Sequence, residues 1–155
     1  MRRAAWVLPV LGCAVGVAVL ADVQGARWFE EITKKAGINH RHSNREFKNP
    51  YAKIMAGYTA LGASVAVADF DGDGFEDVFT TDSSVNGKNR LYRNNGNLTF
   101  TDVAETAGVA AGNDETNATA DALWFDFNND GRPDLFVVRF GQNQLYQNLG
   151  NGKFK

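Results

Sequence analysis

The sequence predicts an all-β protein built from β-propeller blades, each a sheet of four short antiparallel strands, with about two blades of a larger ring present. Three observations point there. A nine-residue acidic loop occurs at Asp69–Asp77 and again 57 positions later at Asp126–Asp134. Short β-branched and aromatic runs flank both copies. A Tyr-Asn-Gly word, Leu91 to Phe100, recurs 54 positions later as Leu145 to Phe154.

In chain order, the first element is a leader. Arg2 and Arg3 precede an uncharged apolar run from Ala4 to Ala21, broken only by Pro9, and small residues follow at Ala21, Gly25 and Ala26. This is a secretory signal peptide pattern over residues 1–26, so the chain is expected to be exported to the periplasm, cell surface or medium. An uncleaved leader is the one route to a membrane. Cys13 is the only cysteine and lies within the leader, so disulfides do not hold the exported domain together. Sixteen basic against eighteen acidic residues, with no basic stripe, argue against a nucleic-acid partner.

Residues 27–155 are expected to form a partial propeller, with units at about 27–98 and 99–152 and the start of a third. Each unit opens with a word ending in Ala-Gly-Ile or Ala-Gly-Val, first at Trp28 to Ile38 and then at Thr99 to Val109. That ending predicts one helical turn stopped by a C-cap glycine. Between the first opening word and the first blade, His40 and His42 alternate at strand spacing. They read either as a metal or ligand site or, preferred for want of further His or Cys, as a locally basic edge strand.

The acidic loops carry the chemistry. Oxygen-bearing side chains fall at positions 1, 3, 5 and 9, with glycine at position 6: Asp69, Asp71, Asp73, Gly74 and Asp77, then Asp126, Asn128, Asp130, Gly131 and Asp134. Oxygens two residues apart curl around one hard cation such as Ca²⁺, a position-7 carbonyl adds a backbone ligand, and glycine permits the sharp turn. An EF-hand is excluded, because position 12 is Thr80 or Val137 rather than Glu and the flanking runs are strands rather than helices. The competing reading is a solvated Asp/Gly turn without metal. The flanking Val67, Trp124 and Phe125 are expected in the blade core.

Each loop is followed by a strand and then by Leu-Tyr-x-Asn-x-Gly-Asn-x-x-Phe, which reads as a hairpin. The resulting unit of 55–60 residues with four strands is a propeller blade. Two blades do not close a ring, so the chain is expected to be the N-terminal part of a longer protein.

Ser64-Val-Ala-Val-Ala-Asp-Phe-Asp-Gly-Asp-Gly-Phe-Glu-Asp-Val78 resembles the FG-GAP (VCBS-like) repeat of integrin α-subunit propellers. With the opening and hairpin words, the chain from Arg27 to Lys155 is similar to bacterial exported relatives of cartilage acidic protein, which pair such propellers with an ASPIC/UnbV-type domain. The resemblance implies a seven-bladed ring with Ca²⁺ held in the loops. Its ligands would be Asp69, Asp71, Asp73 and Asp77 in one blade and Asp126, Asn128, Asp130 and Asp134 in the next, with the carbonyls of Phe75 and Arg132. The words that name the repeat survive only as Phe140-Gly141 and Leu61-Gly62-Ala63-Ser64, and no ASPIC/UnbV segment is present.

The expected function is non-enzymatic: a calcium-binding extracytoplasmic module or scaffold with a protein or glycan as partner. The alternative is the N-terminal part of an extracellular polysaccharide lyase or hydrolase on a propeller. Carboxylates committed to a cation do not also serve as general acid and base, and Glu30, Glu31, Asp102 and Glu105, in the opening words, read as a solvated helical turn.

Overall fold

The computed structural model describes residues 29–54 and 62–155, so the leader lies outside the described residues. Within Ile32–Lys155, one compact unit, the secondary structure is almost entirely β. Strands β1 (Val65–Ala68), β2 (Asp77–Thr80), β3 (Arg90–Asn94) and β4 (Phe100–Asp102) form a four-stranded antiparallel meander. A short helix, α1 (Ala104–Ala107), leads to β5 (Ala118–Phe125), β6 (Asp134–Phe140) and β7 (Gln144–Tyr146), a three-stranded antiparallel sheet. Where a fourth strand would pair, a single bridge joins Asn148 to Phe154. The expected loops thus connect strand to strand, β1 to β2 and β5 to β6. No described helix is long and apolar enough to cross a membrane.

The opening words behave alike. Helix α1 ends at Gly108, whose φ of 88° lets its N–H reach back to the carbonyls of Ala104 and Glu105. In the first copy Gly37 takes φ 81°, and Ala36 donates to the Ile32 carbonyl at 2.7 Å. In each sheet the segment after the hairpin turn returns to an opening word. The Phe100 N–H donates to Ala36 at 2.7 Å, and the Phe154 N–H donates to Ala107 at 3.0 Å.

The core lies between the sheets. Ala66, Phe79 and Leu91 of the first meet Ala122, Leu135 and Val137 of the second, with Val109, Ala104 and Ala107 closing one side. Trp124, partly buried, packs against this cluster, 6.4 Å from Phe70 in a stacked arrangement and 6.3 Å from Phe79 edge-on. Trp124 is therefore core, as expected. Val67 and Phe125 are not: they point to the opposite faces of their sheets and are 53% and 40% exposed. Both faces of a propeller sheet carry apolar residues, so alternation alone does not say which face is covered.

Residues 40–45 are held by polar groups rather than by strand pairing. Residues 38–48 have no regular secondary structure, which corrects the edge-strand expectation. His40 Nε2 and His42 Nδ1 do face one side, where both bond the Thr81 carbonyl at 3.1 and 3.0 Å. Three residues on, the buried Arg45 guanidinium donates to the carbonyls of Asp114, Glu115 and Asn117, tying this segment to the loop before β5. Nearby, Asp82, Asn89 and Asn113 form a buried network in which the Asn113 amide donates to the carbonyls of Asp82 and Gly87.

Candidate metal centre

The two acidic loops fold by one hydrogen-bond pattern. In the first, Asp69 at position 1 accepts the N–H groups of Gly72, Asp73 and Gly74 at 2.8, 3.1 and 2.9 Å. In the second, Asp126 accepts from Asp130 and Gly131 at 3.0 and 2.7 Å. Position 5 repeats as well: the Phe75 N–H donates to Asp73, and the Arg132 N–H to Asp130, at 2.9 and 3.0 Å. Gly74 and Gly131 take φ of 88° and 82°, and an added Cβ at either would meet nothing within 4 Å. Backbone conformation, not crowding, demands glycine at position 6.

Position 9 anchors each loop to its sheet. Asp77 and Asp134 are both fully buried. Asp77 accepts the N–H of Phe70 at 3.1 Å and of Asn94 at 2.7 Å. Asp134 accepts those of Phe127 at 3.1 Å and Asn148 at 2.6 Å. The asparagine of each hairpin word is thus part of its loop. The Asn94 side chain donates to the Glu76 carbonyl and accepts from Gly96. The fully buried Asn148 donates to Pro133 and to Phe70 of the first loop, and accepts from Gly150. Position 7 completes the join: the Phe75 ring lies where a Cβ on Gly96 would stand, and Arg132 packs on Gly150. Sequence reading missed this role for Asn94 and Asn148. The available signal was that their word follows each loop at almost constant distance.

The loops differ in charge. In the first, carboxylate oxygens of Asp69, Asp71 and Asp77 lie within 4.8 Å of one another. Burial pushes Asp77 up to about 6 against the pull of N–H bonds from Asn94 and Phe70, and the charges of Asp71 and Asp73 add to the rise. Asp71 is raised by burial and then by the charge of Asp73. Carboxylates this close resist full ionisation without a cation or proton among them, so a hard divalent ion fits the set. Asp73 stands outside the trio.

In the second loop no three acidic groups converge in this way among the described residues. Asp130 is instead bonded by the Arg132 guanidinium and by the Asn128 amide at 2.9 Å. Backbone N–H bonds, that of Gly131 foremost, hold Asp126 below the usual carboxylate range. Here the chain supplies part of the positive charge itself.

A family model described as an FG-GAP-like repeat matches residues 69–122 and 126–155, the two stretches beginning at the first positions of the two loops. No curated protein gives a significant match.

Proposed function

The chain belongs to the FG-GAP-like repeat family, and on that premise we propose that it is a calcium-stabilised propeller module acting outside the cytoplasm in recognition of a protein or glycan. The observation that carries the calcium reading is the convergence of Asp69, Asp71 and Asp77, in a loop whose turn and anchor recur in the second blade. Asp69, Asp71 and Asp77 would hold the ion in the first blade, with Asp73 and the Phe75 carbonyl available to complete it. Asp126, Asn128, Asp130, Asp134 and the Arg132 carbonyl are the counterparts in the second.

A bound calcium supplies positive charge and ordering rather than reaction chemistry. It offsets the mutual repulsion of the carboxylates and fixes the loop, which through Asp77 and Asn94 keeps β1, β2 and β3 in register. The module is read as non-catalytic because these carboxylates are committed to the cation and to backbone N–H groups. Export rests on the leader, and an extracellular protein or glycan partner is the class that location supplies.

The test is binding of extracellular glycans and proteins from a panel to the chain immobilised in calcium, repeated in chelator. Calcium-dependent capture of a defined ligand is the expected result. Chemical turnover of a captured polysaccharide would instead select the lyase or hydrolase reading.

A further inference from the structure

At the seam between the two sheets one cation lacks a counter-charge. Leu135, Val137 and Arg139 alternate along β6, and the first two belong to the core shared with the first sheet, so Arg139 faces the same way. Its cross-strand partner agrees, since the Thr119 hydroxyl accepts from the Asn89 amide at 3.3 Å. The Arg139 Nε is buried without a hydrogen-bond partner, and none of the ion pairs among the described residues involves this guanidinium. Arg45, by contrast, directs its own guanidinium at three carbonyls. Gln144 and Tyr146 stand on the same face as Arg139, opposite Val137 and Leu135. The Tyr146 hydroxyl donates to Gln144 Oε1 at 2.8 Å, which engages the amide oxygen and leaves its N–H groups to a ligand. Gly112 passes over both residues at φ 140°, and a Cβ there would stand 3.0 Å from Gln144 Oε1 and 3.6 Å from Arg139 Cζ. Glycine thus leaves the pair uncovered. Burial pushes the Tyr146 hydroxyl up and the Arg139 charge pulls against it, so the cation acts on this same group.

We propose that Arg139 and Gln144 form a carboxylate-binding subsite for a hexuronate residue of an acidic glycan, an inference that rests on the recognition role proposed above and names its ligand class. A partly buried guanidinium without a counter-ion favours an anion, and its planar fork matches a carboxylate through two parallel hydrogen bonds. The Gln144 amide adds further donors, so the set suits an anion and offers little to a cation. One cation beside an amide and a phenol fits the single carboxylate of a sugar ring. An acidic protein segment, with several charges in a row, calls for several cations.

Calorimetry of the full chain in calcium tests this with a panel of hexuronate oligosaccharides, each paired with its methyl ester, which keeps the shape and removes the charge. At least one acid is expected to bind about tenfold or more tighter than its ester. Arg139→Gln should bring that acid down to the level of the ester while melting no lower than wild type, because an unpaired cation is removed. Lys35→Gln, which removes an exposed cation in the first opening word, should change neither. Gln144→Glu gives Arg139 a carboxylate within the chain and keeps an acceptor for Tyr146, so it should also abolish the preference for acid over ester. It carries the test should Arg139→Gln fail to fold. Acid and ester bound alike in every pair would overturn the subsite and leave the glycan reading standing. No binding of any oligosaccharide would remove both. A preference that survives in Arg139→Gln and Gln144→Glu, or an acidic protein bound through Arg139 in place of any glycan, would also overturn the proposal.

Discussion

The Asp77 carboxylate accepts the backbone N–H of Asn94 at 2.7 Å, while the Asn94 side chain reaches back to the Glu76 carbonyl at 3.1 Å. Asp134 and Asn148 repeat the arrangement at 2.6 Å, with the Asn148 amide on Pro133 at 3.0 Å. In each blade the acidic loop and the hairpin two strands away are one structure. Asn148→Ala should cost about 1–3 kcal/mol for the buried groups it leaves unpaired, read as a lowered melting temperature. Asn94→Ala should also weaken calcium binding in the first loop although Asn94 lies outside the acidic trio. Asn151→Ala, in the exposed hairpin turn, is the control, and an equal effect there would remove the special role of Asn148.

Asp71→Asn should weaken the first site by roughly a hundredfold, since ligand charge count sets calcium affinity in such loops. The second site should be nearly untouched, because Asp126 to Asp134 keep their own hydrogen bonds. Calorimetry that shows both sites weakened equally would contradict independent loops.

Arg132→Met should strengthen the second site about threefold. It removes the guanidinium that pairs with Asp130 and keeps an aliphatic body over Gly150. The gain is small because the pair is partly exposed, and such pairs contribute about 0.2–1 kcal/mol. A weaker second site in this variant would mean that Arg132 organises the loop rather than competing with calcium.

Calcium affinity should fall as pH drops through about 6, by up to tenfold per unit, because metal must then displace a proton from Asp77. Without metal the sign on folding is opposite. The folded value lies above the unfolded 3.8, so this residue's contribution is full below pH 3.8 and lost as pH rises through about 6. Asp77→Asn should therefore flatten the pH dependence of stability in chelator between those values. An unchanged slope would show that Asp77 does not carry it.

Much of this was legible in the sequence because its chemistry is local. The loops declare themselves through Asp, Asn and Gly at fixed spacing, and Gly108 does stop the turn its word predicts. Three things were not legible, each because it depends on packing. Period-2 alternation did not say that Trp124 faces inward while Phe125 and Val67 face out, since all three are apolar. Arg45 looked like one charge among several, yet its guanidinium is buried against three carbonyls far along the chain. Loops with matched spacing looked alike apart from the one charge fewer that Asn128 gives the second, but Arg132 also pairs with Asp130 where the first loop has Phe75.

The first measurement is a calcium titration of the full chain by calorimetry, followed by thermal melts with calcium and with chelator. Two sites of unequal affinity, the tighter one weakened roughly a hundredfold in Asp71→Asn, together with a melt that moves down in chelator, are predicted. A folded chain that releases no heat with calcium and melts identically in chelator would contradict the calcium assignment and leave both acidic loops as ordinary turns.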